Sequence, residues 1–169
     1  MTSVVIVGSG FTGFECARRL ARRLRTSDVD ITIISPVDYM LYTPLLPDVA
    51  GGVVDPRFVT IPLAGTLNGV RKVRGRVDSV DLTQKRVAFT DLEERSCELS
   101  WDRLVLTPGS VTRLFDIPGL AHYARGLKST AEALYLRDHV LEQLELSCLE
   151  DGPELAQARR TIVVVGASY

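Results

Sequence analysis

The sequence predicts an α/β fold: a parallel sheet with a βαβ unit, joined to an antiparallel β-meander. Three observations predict it. A short β-branched run, VVIV at residues 4–7, meets a glycine-rich turn that opens a helical pattern. A second apolar run, DITIIS at residues 30–35, completes a strand–helix–strand unit of about thirty residues. From residue 70 to residue 99 the pattern changes to period-two alternation, split by turn residues.

Each element has its own warrant. Residues 3–7 are short, apolar and β-branched, as a strand buried on both faces must be. Residues 12–25 carry Phe14, Ala17, Leu20, Ala21 and Leu24 at helical spacing. Arg18, Arg19, Arg22, Arg23 and Arg25 fall on the other side, which reads as a solvated surface. Residues 30–35 form the second strand, and Pro36 ends it. YMLYTPLLPDVAGG, residues 39–52, reads as a loop with one short helix, unusually apolar for a surface connection. VRKVRGRVDSVD, KRVAFT and SCELS are the meander strands. RLVL at 103–106 is a short buried strand that Thr107, Pro108 and Gly109 terminate. A long helix is expected over 129–149. Ser129 and Glu132 have capping-box spacing, and Asp151, Gly152 and Pro153 break the helix. The closing TIVVVGASY repeats the grammar of the opening.

A chain of 169 residues, 46% hydrophobic, suits one domain with a packed core. Lys and Arg number 20 against 21 Asp and Glu, so bulk charge offers nothing to nucleic acid. No apolar run approaches the ~20 residues of a membrane-spanning helix, and the first is too short for a signal peptide. Cys16, Cys97 and Cys148 lie far apart without a C-x-x-C pair, the pattern of reduced thiols in a cytoplasmic protein. His122 and His139 lack ligand-type spacing, and no metal site is expected.

GSGFTG fits G-x-G-x-x-G, and here it follows a strand and opens a helix, the context the motif requires. Gly8 makes the tight turn, Gly10 admits a pyrophosphate, and Gly13 lets helix and strand pack closely. The helix N-terminus then faces the phosphates. Counting on to the end of the second strand, where an acid usually holds the ribose, lands on Ser35. Its hydroxyl bonds a ribose more weakly than a carboxylate would. Asp38 is the nearby acid that would serve instead.

Taken together, VVIVGSGFTGFECARRL, ITIISPVDYMLYTPLLPDVAGG, GRVDSVDL, WDRLVLTPGSVTRLFDIPGL and EALYLRDHVLEQLE resemble the first half of a type II NADH dehydrogenase. That family is an NADH:quinone oxidoreductase branch of the two-dinucleotide-domain flavoproteins, the pyridine nucleotide-disulfide oxidoreductase-like proteins. The resemblance implies a Rossmann-like FAD-binding domain, incomplete relative to the family fold, and FAD rather than NAD at the first motif. It implies hydride transfer from NADH to flavin and electron transfer to a quinone. By position, Gly8, Ser9, Gly10, Phe11, Thr12 and Gly13 would hold the FAD pyrophosphate. Ser35 and Pro36 would lie at the ribose, and Val77 at adenine through its backbone. Thr107, Pro108 and Gly109 occupy an Ala-Thr-Gly position, with Thr107 and Gly109 at the cofactor. Thr43 to Leu46 would border the isoalloxazine.

The resemblance divides the chain into a first FAD-binding portion (1–150), a linker (151–160) and the start of an NAD(P)H-binding Rossmann domain (161–169). Gly166 begins that second motif, with Ser168 where its second glycine would stand. On this reading the chain alone is inactive, and NADH, quinone and peripheral contact with the cytoplasmic face of a membrane belong to the longer parent. The strand beside the opening strand would come from a C-terminal return, so self-association through sheet edges is expected. The alternative is a non-catalytic FAD- or nucleotide-binding module. Thiol–disulfide relay is disfavoured because no cysteine follows the second strand, and a sulfide:quinone oxidoreductase because GLKSTAEA holds none. No acid–base pair or nucleophile stands out, so no catalytic residue is nominated.

Overall fold

The computed structural model describes residues 1–24 and 28–166. Arg25 of the basic helix side and Ser168 of the second motif lie outside the described residues. In chain order the elements are β1 (Thr2–Val7), α1 (Phe11–Arg23), β2 (Val29–Ser35), β3 (Tyr39–Leu41), α2 (Leu46–Ala50), β4 (Thr60–Pro62), β5 (Arg71–Asp81), β6 (Arg86–Asp91), β7 (Ser96–Ser100), β8 (Arg103–Leu106), α3 (Leu120–Tyr123), α4 (Thr130–Ser147) and α5 (Pro153–Arg159). The chain forms two compact units, one of Met1–Tyr42 with Arg57–Thr112, the other of Thr43–Pro56 with the chain from Arg113 onward.

The first unit holds a six-stranded sheet in the order β7-β6-β5-β2-β1-β8. β1 pairs in parallel with β2 on one side and β8 on the other, and β2 pairs in parallel with β5. β1 therefore lacks no neighbour. The open edge expected beside it falls on β8 instead, because β8 takes that place from within this chain. β5 joins the parallel and antiparallel parts of this sheet. Arg71, Lys72, Val73 and Arg74 pair with β2, and Gly75 to Asp81 pair antiparallel with β6 through a bulge between Val77 and Ser79. The bulge adds twist and swings the meander over one face of the parallel strands.

Side chains alternate between two cores. Val4, Ile6, Ile31 and Ile33 pack with Phe14 and Ala17 of α1. Val5 and Ile34 pack with Val87 and Phe89 of the meander, helped by the half-buried Val73 and Val77. The loop predicted over 39–52 begins with a strand: β3 pairs antiparallel with β4 in a separate two-stranded sheet.

In the second unit, α4 begins at the expected capping box. Glu132 N–H donates to Ser129 Oγ (3.2 Å), and Ser129 N–H donates to the Glu132 carboxylate (2.9 Å). Residues 151–160, expected to be a linker, hold α5. Gly152 is its N-cap, Pro153 occupies the first turn, and Arg159 lies in the last. Pro is pre-organised for that position, so the residues read as a break also start a helix. Arg159 ties α5 back to α4, donating to Glu150 (2.7 Å) and Gln143 (2.8 Å). Residues 162–165 form no strand.

Candidate functional site

The site grows from the turn between β1 and α1. Gly8 has φ +98°, a left-handed conformation that favours glycine, and a Cβ there would run into the Thr107 carbonyl. A Cβ on Gly13 would collide with the Gly8 carbonyl and come within 2.6 Å of Thr107 Oγ1. The protein itself demands both glycines. Gly10 differs. Its φ is −67°, which any residue adopts, and a Cβ there meets nothing within 4 Å. The fold leaves open space at Gly10, on the side where a pyrophosphate would approach.

That space faces the start of α1. Gly10 is the N-cap and supplies no side-chain cap, and the first turn contains no acid. The first intrahelical bond runs from Phe14 N–H to Gly10 O (2.9 Å), so the N–H groups of Phe11, Thr12 and Gly13 have no acceptor within the helix. Those donors and the dipole favour an anion by roughly 0.3–1 kcal/mol.

Two other strands deliver residues to the turn. At the end of β8, Thr107 N–H and Oγ1 both donate to Val7 O (2.9 and 2.6 Å), clamping the last turn of chain before Gly8. Pro108 offers no N–H, and Gly109 follows with φ +75° and open space around it. At the end of β2, Ser35 is buried and its Oγ lies 2.7 Å from Ser9 Oγ. Ser9 Oγ–H donates to the Tyr39 carbonyl (3.0 Å), so the shared bond must be donated by Ser35. Ser35 Oγ also accepts from Val37 N–H (3.3 Å). The Ser35 hydroxyl is thus committed within the protein.

Gly8, Ser9, Gly10, Phe11, Thr12, Gly13, Ser35 and Thr107 therefore meet at the C-terminal ends of β1, β2 and β8. Pro36 lines a cleft of about 200 Å³ with Gly75, Arg76, Thr90, Asp91, Leu92 and Glu94. Val77 turns its side chain into the meander core, which leaves its backbone for any ligand contact. Thr43 opens a short 3₁₀ turn in the second unit and is not part of the glycine-turn cluster. Phe11 meets Tyr42 edge-on at 5.4 Å, both about two-fifths exposed. Beside them a shallow groove of about 560 Å³ runs along α1 past Glu15, Arg18, Met40 and Ile61. Glu15 accepts hydrogen bonds from Arg18 (2.8 Å) and Arg19 (2.6 Å), which lower its pKa to about 2. Among the described residues no cluster could hold a metal, and no helix is long and apolar enough to cross a membrane.

Sequence reasoning missed Gly75. A Cβ there would lie 2.6 Å from the Phe89 ring and 2.8 Å from Thr90 O, so glycine lets β5 and β6 close at this point. A lone glycine inside a strand was the available signal.

Comparison with known proteins agrees with this geometry. Residues 2–169 match the family model for pyridine nucleotide-disulphide oxidoreductases. The type II NADH:quinone oxidoreductase Ndh of Mycobacterium tuberculosis is 33% identical over 167 residues, covering 97% of this chain and 35% of the relative. The mitochondrial external alternative NAD(P)H-ubiquinone oxidoreductase B4 of Arabidopsis thaliana is 29% identical, covering 96% of this chain and 29% of its own length. The chain thus spans about a third of the curated relatives it matches. The structure of NDH2 from Plasmodium falciparum in complex with NADH superposes with a TM-score of 0.79 at 28% identity, over 89% of this chain and 30% of that one. With the glycine turn, the parallel strands and the meander in place, this chain belongs to the pyridine nucleotide-disulphide oxidoreductase family.

Proposed function

We propose that this chain is the N-terminal, FAD-binding portion of an oxidoreductase that takes a hydride from NADH and passes electrons to a quinone. The observation that carries the reading is Gly10: the fold does not need a glycine there, but a pyrophosphate would. The residues present fit the group. Gly8 and Gly13 set the turn, α1 offers uncapped N–H groups, and Thr107 holds the turn to β8. The Pro36 cleft lies at the β2–β5 side, where the adenosine would reach. FAD, when bound, supplies the redox chemistry, and the protein supplies position and electrostatics.

On this reading residues 1–150 are the first portion of the FAD domain, and 161–169 begin an NAD(P)H-binding domain. The parent would work peripherally at the cytoplasmic face of a membrane. Self-association of the chain would run along the outer strands β7 and β8.

Titrating FAD into the protein and into Gly10→Val tests the site. The wild type should take up flavin and show its visible bands. The variant should lose binding at least tenfold while melting within a few degrees of the wild type, because a Cβ at Gly10 meets no protein atom. Equal binding by both would remove the first motif as the flavin site. A wild type that takes up no flavin would favour a module without redox function.

A further inference from the structure

We propose that Ser35 is a positioning residue of this site: it acts on the phosphate end of the ligand, through Ser9, and not on the ribose. The end of β2 then reads no ribose hydroxyl, and adenosine diphosphates with and without the ribose diol are held alike there. The proposal rests on the reading of the glycine turn as a dinucleotide site.

A chain that runs Gly8-Ser9-Gly10 has little stiffness of its own, because a glycine on either side of Ser9 leaves the backbone many conformations. Tethers from three strands remove that freedom. Gly8 N–H donates to Ile34 O of β2 (2.8 Å). Thr107, at the end of β8, holds Val7 O (2.6 Å). Between the two glycines the side chain that can serve as an anchor is that of Ser9, and it is anchored twice. Ser9 Oγ donates to Tyr39 O of β3 (3.0 Å) and receives the Ser35 proton at 2.7 Å. Ser9 is 5% exposed and Ser35 3%, so water does not compete for either hydroxyl.

The same bonds close the other route. Ser35 has one proton, which goes to Ser9, and its oxygen takes the Val37 N–H (3.3 Å). Its burial leaves no surface for a ribose hydroxyl to approach. An ionised carboxylate in this place would accept from a ribose diol but could not donate to Ser9. Serine reverses those roles, and what it supplies is order. Gly10, the residue after Ser9, opens the space at the start of α1. Fixing the turn before a pyrophosphate arrives lowers the conformational cost of binding it.

Calorimetry on the full chain, after removal of any bound flavin, decides the matter with FAD, adenosine diphosphate and 2′,3′-dideoxyadenosine diphosphate as probes. Ser35→Ala should weaken all three about three- to tenfold, with the ratio of the two diphosphates kept within about twofold of its wild-type value. Taking the ratio cancels any contribution from the exposed Asp38 carboxylate. Ser9→Ala should weaken binding at least as much. Adding Ser35→Ala to it should cost no more than about a further twofold, because the Ser35 hydroxyl acts only through Ser9. Ser35→Cys, close in size and a weaker donor, repeats the comparison should Ser35→Ala melt early. Unchanged binding by Ser35→Ala, a loss confined to the probes that carry the ribose diol, or losses that multiply in the double variant overturns the proposal while leaving the dinucleotide site standing. Failure of the wild type to bind FAD or either diphosphate overturns both.

Discussion

Residues 4–7 and 162–165 are both runs of four β-branched residues that lead into a glycine. Val4, Val5, Ile6 and Val7 are 7, 1, 0 and 7% exposed, with β2 on one side and β8 on the other. Ile162, Val163, Val164 and Val165 are 68, 78, 82 and 62% exposed and form no strand. Even the glycines match, with φ +98° at Gly8 and +103° at Gly166. Composition and the φ of the closing glycine are shared, yet the outcomes differ. β-Propensity states what a segment tolerates, and the neighbouring strands decide what it becomes.

The contrast should break most severely one turn beyond the first run. Gly13→Ala would ordinarily favour a helix by about 1 kcal/mol. Here the new methyl meets the Gly8 carbonyl, a backbone atom that cannot step aside. A loss of roughly 4 kcal/mol is expected in denaturant unfolding, and a stabilised variant would show that the helix–strand contact is looser than described. Next come the runs themselves. Ile6→Ala should cost about 3 kcal/mol, since it opens a hole in the core beneath α1. Val164→Ala should stay within about 0.5 kcal/mol. Equal losses at the two positions would mean that the second run is buried in solution. The smallest effect is one of pH. Glu15, on the helix that follows the first run, has its pKa held down to about 2, from 4.5, by hydrogen bonds from Arg18 and then Arg19. A depressed carboxylate adds stability above its ordinary pKa and loses it as pH falls from about 4.5 towards 2. Glu15→Gln should flatten the acid limb of stability slightly over that window. An unchanged limb would mean that the two arginines do not hold the carboxylate in solution.

Most of the first unit was legible because its elements carry redundant signals. β1, α1, β2 and β8 each combine composition, period and a terminator, and the observed bounds fall within a residue or two of those expected. The capping box of α4 was legible because two side chains at one spacing define it. β3 and β4 were not, since three-residue strands have no measurable period and exist only through pairing. α5 hid behind Gly152 and Pro153, which stop one helix and start the next. At the site, the glycine spacing announced the turn. It could not announce that Ser35 would spend its hydroxyl on Ser9, because that bond depends on where two strand ends meet.

The Thr107 clamp has a consequence for the order in which the molecule assembles. The Ser9–Ser35 bond joins residues 26 apart, whereas the bond from Thr107 to Val7 joins residues 100 apart. Closing the longer loop costs about 1 kcal/mol more in chain entropy. Local pairing of β1 with β2 can therefore precede it, but the glycine turn stays untethered on its β8 side until the whole meander has been made and β8 has docked. On a ribosome this means that the glycine turn cannot take its final form until the chain has emerged past Thr107. On the proposed reading, cofactor capture would be timed by the far end of the unit, although the glycine turn that would perform it lies about a hundred residues earlier in the chain.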